Sequence, residues 1–176
     1  PDEAAAVGLV EGLLSREVLP QAEPALTELL RVGAALESFD TGLLGALGIP
    51  APESVLGAAR RAGIHVLPAP VAEGWFTLSP MTKEYALARL VTDPAELARI
   101  RTAAAHWHAD RGDAATALRY LVQAGDAEEL ARLLERHGST LLAAGHSGAV
   151  VEALSQLPTG SAGMRSPTLD LVEGEA

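Results

Sequence analysis

The sequence predicts a mainly α-helical fold interrupted by one small β-hairpin. Three observations carry this expectation. Alanine supplies 34 of the 176 residues, and it is the strongest helix former. Apolar residues recur at helical spacing along most of the chain. One stretch breaks the pattern: "IHVL" (64–67) is β-branched and apolar, "PAPVAEG" (68–74) is turn-rich, and "WFTL" (75–78) alternates.

In chain order, Val7, Val10, Leu13, Leu14 and Val18 form a stripe on a first helix over 3–18, which Pro20 ends. Pro24 suits the first turn of the next helix, whose face is Leu26, Leu29, Leu30, Gly33 and Leu36. A short helix follows at 41–47, capped by Asp40 or Thr41. "IPAP" (49–52) is a break. A helix over 53–62 then turns Val55, Leu56 and Ala59 inward and Arg60 and Arg61 outward, with Gly63 as its left-handed end. The hairpin over 64–78 comes next. On its second strand Trp75 and Thr77 face one way and Phe76 and Leu78 the other, so one of Trp75 and Phe76 is expected to be buried and the other more exposed. Ser79 is a good N-cap and Pro80 a good first residue for a helix over 80–91. Three helices followed by a hairpin is the layout of a winged helix-turn-helix.

Beyond residue 92 the composition changes to helices separated by Gly112-Asp113, Gly125-Asp126 and Gly145-His146. Gly112 and Gly145 are 33 residues apart, and at that offset Leu118 falls on Val151 and Leu121 on Leu154. A period near that length with two helices per unit predicts tetratricopeptide-like α-hairpin repeats. "SPTLDLVEGEA" (166–176) reads as the start of a further helix. The expected domains are therefore a winged helix with its lead-in helix over 1–92 and truncated helical repeats over 93–176.

Charge and composition exclude several function classes. The net charge is −10, and residues 49–92 hold four basic and three acidic side chains. That is too little positive charge for a surface that tracks phosphates, so no direct DNA binding by this segment is expected. There is no cysteine, which removes disulfides and thiolate metal sites. No run has the length of a membrane span and no signal peptide opens the chain, so a cytoplasmic protein without a membrane partner is expected. One lysine against 12 arginines fits a GC-rich bacterial genome.

Candidate sites are few. No GxxxxGK[ST], GxGxxG or GxSxG stretch occurs, so neither nucleotide hydrolysis nor a cofactor is expected of this chain. His106 and Asp110 share a helix face, but His106 and His108 at i, i+2 do not face each other, which spoils a helical metal site. The expected arrangement is a helix packed through Trp107 with both histidines at its margins. Leu97, Ile100, Ala104 and Trp107 form a core stripe rather than a ligand groove. Glu128, Glu129, Arg132, Glu135 and Arg136 are spaced as an exposed, ion-paired face. Arg60 and Arg61 lie where a recognition helix meets DNA, or else complement a helix C-terminus. No catalytic, cofactor-binding or metal residue is assigned.

The run "VLPAPVAEGWFTLSPMTKEYALARL…DPAELARIRTAAAHWHADRGDAATALRYLVQAGDAEELARLLERHGSTLLAAGHSGAVVEALSQLP" resembles the middle of MalT-like LuxR-type transcriptional activators of the signal-transduction ATPase class. Their order is nucleotide-binding domain, winged helix, superhelical repeats and C-terminal helix-turn-helix. The resemblance covers nearly the whole chain. It implies that the winged helix packs on a nucleotide-binding domain and holds the resting state, and that the repeats sense an inducer. In that family the joint after the aromatic strand commonly carries histidines. Here the matching positions are Ser79 and Pro80, so a nucleotide-sensing histidine is not carried over. The expected partners are the nucleotide-binding domain, the remaining repeats, and a small-molecule or protein inducer. The alternatives are a stand-alone winged-helix DNA-binding protein with a repeat-type interaction tail, or a plain protein–protein scaffold.

Overall fold

The computed structural model describes residues 24–157. The expected helix over 3–18 and the segment 159–176 lie outside the described residues. The described residues form eight helices and one two-stranded sheet, a mainly helical protein. The chain divides into two compact units between Glu96 and Leu97, inside the first turn of a helix and four residues beyond the boundary expected after residue 92.

In the first unit, α1 (Pro24–Ala35) buries Leu26, Leu29, Leu30 and Val32 through Ala35. The short α2 (Thr41–Ala46) is capped by Asp40, whose carboxylate accepts from the Leu43 N–H at 2.6 Å; of the two candidate caps, Thr41 is the first helical residue. Helix α3 (Pro52–Arg61) buries Val55, Leu56 and Ala59, and α4 (Pro80–Arg89) buries Thr82, Tyr85 and Ala86. Helix α1 packs chiefly on α4 and also against α3. Two cross-links add to this. Lys83 donates from Nζ to the Leu36 carbonyl at 2.7 Å, and Arg31 pairs with both Glu28 and Glu96.

The hairpin pairs β1 (Val66–Pro68) with β2 (Phe76–Leu78) in the register Val66–Leu78, Leu67–Thr77 and Pro68–Phe76. The first strand starts two residues later than the sequence suggested. The reason is the exit from α3: Gly63 adopts φ +77° and the Ile64 N–H returns to the Ala59 carbonyl at 2.9 Å, so residues 64–65 close the helix.

Phe39 adds a third, single-residue rung. It exchanges both backbone hydrogen bonds with Phe76 at 2.8 Å. Phe76 thus turns its N–H and C=O toward Phe39, and Pro68 on its other flank needs no N–H.

The aromatic core differs from expectation. Trp75 and Phe76 are both half-buried, and the fully buried aromatic of this unit is Phe39. The bridge places Phe76 between Pro68 and Phe39, and Phe39 fills the core position that Trp75 or Phe76 was expected to fill.

The second unit consists of two helical hairpins. Helices α5 (Pro94–Ala109) and α6 (Ala114–Ala124) form the first, and α7 (Ala127–Ala143) and α8 (Ser147–Ser155) the second. Gly112, Gly125 and Gly145 all have positive φ, and Asp113 and Asp126 cap the helices that follow. The period of 33 extends to both hairpins. Ala105 and His108 on α5 correspond to Gly138 and Leu141 on α7, and Ala117 and Tyr120 on α6 to Val150 and Ala153 on α8; all eight are buried. The two pairs read from the sequence behave differently: Leu118 and Leu121 are buried, but Val151 is exposed and Leu154 half-buried. Helix α6 has α7 and α8 packed on it, whereas α8 buries a narrower face.

Candidate functional site

The second unit carries an open cleft of about 320 Å³ between α5 and α7. Its origin is a matter of spacing. On α7, Glu129, Arg132, Leu133 and Arg136 follow i, i+3, i+4, i+7 and share one face. On α5, Ala105, His106 and Ala109, with Asp110 just beyond, present the opposite wall, and Leu121 of α6 supplies part of the floor.

The two walls run parallel, because their contacts advance in the same direction. Thr102 Oγ1 lies 3.5 Å from Asp126 Oδ2, and His106 Nε2 lies 2.9 Å from Glu129 Oε2. Glu129 also pairs with Arg132, which reaches Glu128 as well. The hydrogen bond from His106 holds the Glu129 carboxyl below the usual glutamate range, against a smaller opposing effect of burial and with help from the charges of His106 and Arg132. The N-terminal end of the cleft is therefore internally neutralised. One turn further along, Asp110 and Arg136 line the cleft, and neither side chain has a hydrogen-bond or ion-pair partner among the described residues.

The face of α7 expected to be exposed and ion-paired is thus divided. Glu128 and Glu135 are exposed, while Glu129 is half-buried and turned toward α5. Trp107 and His108 also exchange roles relative to expectation, while His106 lies at the margin as expected. His108 is buried, Trp107 is half-buried, and His106 is exposed on the cleft wall. His108 occupies the position that Leu141 fills on α7. Its burial is made possible by Asp113, 3.1 Å from its Nδ1, and by the Tyr120 ring, with centroids 5.7 Å apart. Trp107 instead lies under the Arg111 guanidinium, 3.8 Å from the ring centroid. Of the expected core stripe, Ala104 is buried and Leu97, Ile100 and Trp107 are half-buried. Among the described residues no group of three His, Asp or Glu side chains is placed to hold a metal ion.

In the first unit, Arg60 and Arg61 are both exposed. Arg60 does not project freely: its guanidinium lies 4.9 Å from the Phe76 ring centroid. Leu67 is 43% exposed and Val71 67% exposed, so the hairpin presents apolar side chains outward. Ser79 caps α4: its Oγ accepts from the Thr82 N–H at 3.3 Å and lies 2.9 Å from Thr82 Oγ1. Among the described residues no helix is long and apolar enough to cross a membrane.

No family model matches this chain, and no curated protein is significantly similar to it.

Local sequence signals identify single residues of these sites but not their juxtaposition. His106 and Glu129 are 23 residues apart and on different helices, so only the parallel placement of α5 and α7 joins them. The period of 33 between the hairpins was the available signal for that placement.

Asp113 provides a pH test of this region. Burial opposes its ionisation, but the backbone and side-chain hydrogen bonds from Thr116 and the charge and hydrogen bond of His108 outweigh it, so its pKa is lowered. A lowered folded pKa means the stabilisation is complete above the unfolded value, near ~3.9, and is lost as pH falls through the folded one. Asp113→Asn, which keeps a good N-cap, should be less stable than wild type at neutral pH, and the gap should close as pH falls below about 4. Thermal melts followed by circular dichroism from neutral to acid pH check this. A gap independent of pH would rule out an ionised Asp113 as its source.

Proposed function

We propose that this chain is a non-catalytic regulatory segment of a cytoplasmic bacterial transcriptional activator resembling the MalT-like LuxR type. On this reading residues 1–92 contain a winged helix that docks on protein, and residues 93–176 begin a tetratricopeptide-like sensor scaffold.

The observation that carries the reading is the order of elements in the first unit. Helix, single-residue bridge at Phe39, two helices and antiparallel hairpin is the order of a winged helix. The 33-residue correspondence of buried positions between the two hairpins supports the repeat scaffold. Val151, exposed where Leu118 is covered, supports a site for a further helix. Arg60 resting on Phe76 and the outward Leu67 and Val71 favour an apolar protein partner over a phosphate backbone. The expected partner is a nucleotide-binding domain encoded upstream. An inducer on the repeats would bias docked and free states, a coupling between two sites.

The test has two arms. Fluorescence anisotropy with random duplex DNA should show no binding at physiological salt. Co-expression with the product of the upstream coding sequence should co-purify the two, and Val71→Asp should release them. Binding to DNA that weakens steeply with salt and is lost in Arg60→Ala/Arg61→Ala would overturn the reading in favour of a stand-alone DNA-binding winged helix.

A further inference from the structure

The cleft between α5 and α7 has a charge pattern that selects a ligand class. Its apolar surface comes from Ala105, Ala109, Leu121 and Leu133. At its N-terminal end, His106, Glu129 and Arg132 satisfy one another. At the other end, Arg136 and Asp110 line the cleft, and neither has a side-chain partner among the described residues. A multiply charged anion would meet the carboxylate of Asp110, and a cation would meet the guanidinium of Arg136. A neutral apolar molecule would use only the surface of Ala105, Ala109, Leu121 and Leu133 and would leave both exposed charges to water.

We propose that this cleft binds a small zwitterion with an apolar body, of dipeptide size, its carboxylate held by Arg136 and its ammonium by Asp110. The cleft, at about 320 Å³, lies at the lower end of the range for small-molecule sites. The planar fork of Arg136 suits a carboxylate, and Asp110 can accept from an ammonium. Leu121 and Leu133, both nearly fully buried, hold the floor in place. The site joins α5 to α7, so an occupant bridging Asp110 and Arg136 favours one spacing of the two hairpins over others. This assigns a ligand class to the sensor proposed above, and it rests on that reading only for its consequence in the cell.

Calorimetric titration of the full chain with L-leucyl-L-leucine tests the site. Saturable binding with a dissociation constant of about 0.2 mM or below is expected, as ordinary ligand efficiency gives for that size. The N-acetylated dipeptide and the dipeptide amide, each lacking one charge, should bind about tenfold more weakly or worse, the equivalent of one charge-assisted hydrogen bond. Arg136→Gln and Asp110→Asn should each weaken the parent dipeptide by a similar factor, and Arg136→Gln should leave the affinity of the amide unchanged. Arg119→Gln, beside the separate groove between α6 and α8, should have no effect. Both cleft positions are exposed, and unchanged melting curves will show that the variants are folded. Absence of binding at millimolar dipeptide, equal affinity for all three peptides, or equal losses from Arg119→Gln and Arg136→Gln would overturn the proposal. Those results would leave the DNA and co-purification outcomes for the first unit as they stand, so failure of the site and failure of the regulatory reading are separable.

Discussion

Phe39→Ala should destabilise the first unit by about 3–5 kcal/mol, the cost of deleting a fully buried aromatic ring and leaving its cavity. Phe39 is 0% exposed. Its ring is in close quarters with α1: a Cβ built on Gly33 would lie 3.1 Å from Phe39 Cε1 and 3.2 Å from Leu78 Cδ1. The substitution leaves the backbone exchange with Phe76 formally possible, so the loss belongs to side-chain packing between α1 and the sheet. Against a typical domain stability of about 5–15 kcal/mol, such a loss brings the unit close to unfolding. Urea denaturation gives the magnitude. Hydrogen exchange places it: the amides of α1 and α4 should lose protection. A change below about 1 kcal/mol would show that Phe39 is not the packing centre.

Tyr120→Ala should cost the second unit about 3–5 kcal/mol by the same mechanism. Tyr120 is 2% exposed and packs against His108. The equivalent position on α8 is Ala153, so Ala is compatible with the helix itself, and the loss reports tertiary packing rather than propensity. Removal of the ring also strips His108 of apolar cover, which makes burial of an imidazole more expensive. Denaturation with exchange resolved over α6 and α7 checks the prediction. If protection is lost in α1 and α4 instead, the two units do not unfold separately.

Much of the helical framework was legible in the sequence because its signals are local. Ser79 and Pro80 mark the start of α4, Asp113 and Asp126 cap their helices through side-chain hydrogen bonds to the third residue on, and Gly63, Gly112, Gly125 and Gly145 take up positive φ where a side chain would be strained. The aromatic core was not legible. Phe39 lies in a short link between two helices, without periodicity to announce burial. "WFTL" carries the stronger strand pattern, yet its two aromatic residues are half-buried. Likewise Trp107 is the more apolar side chain, but it is His108 that points inward.

What the sequence by itself determined, among the described residues, is the order and type of elements, the turn positions and a spacing of 33 between the hairpin turns at Gly112 and Gly145. Each depends on residues within one turn of each other or on a repeated spacing. Only the tertiary structure decided which aromatic fills each core, that Arg60 rests on Phe76, and that His106, Asp110, Glu129 and Arg136 share one cleft. Those outcomes depend on the packing of different elements whose residues are 12 or more positions apart. The helical phase of one element does not specify the phase of its neighbour, and burial follows the combined fit of both.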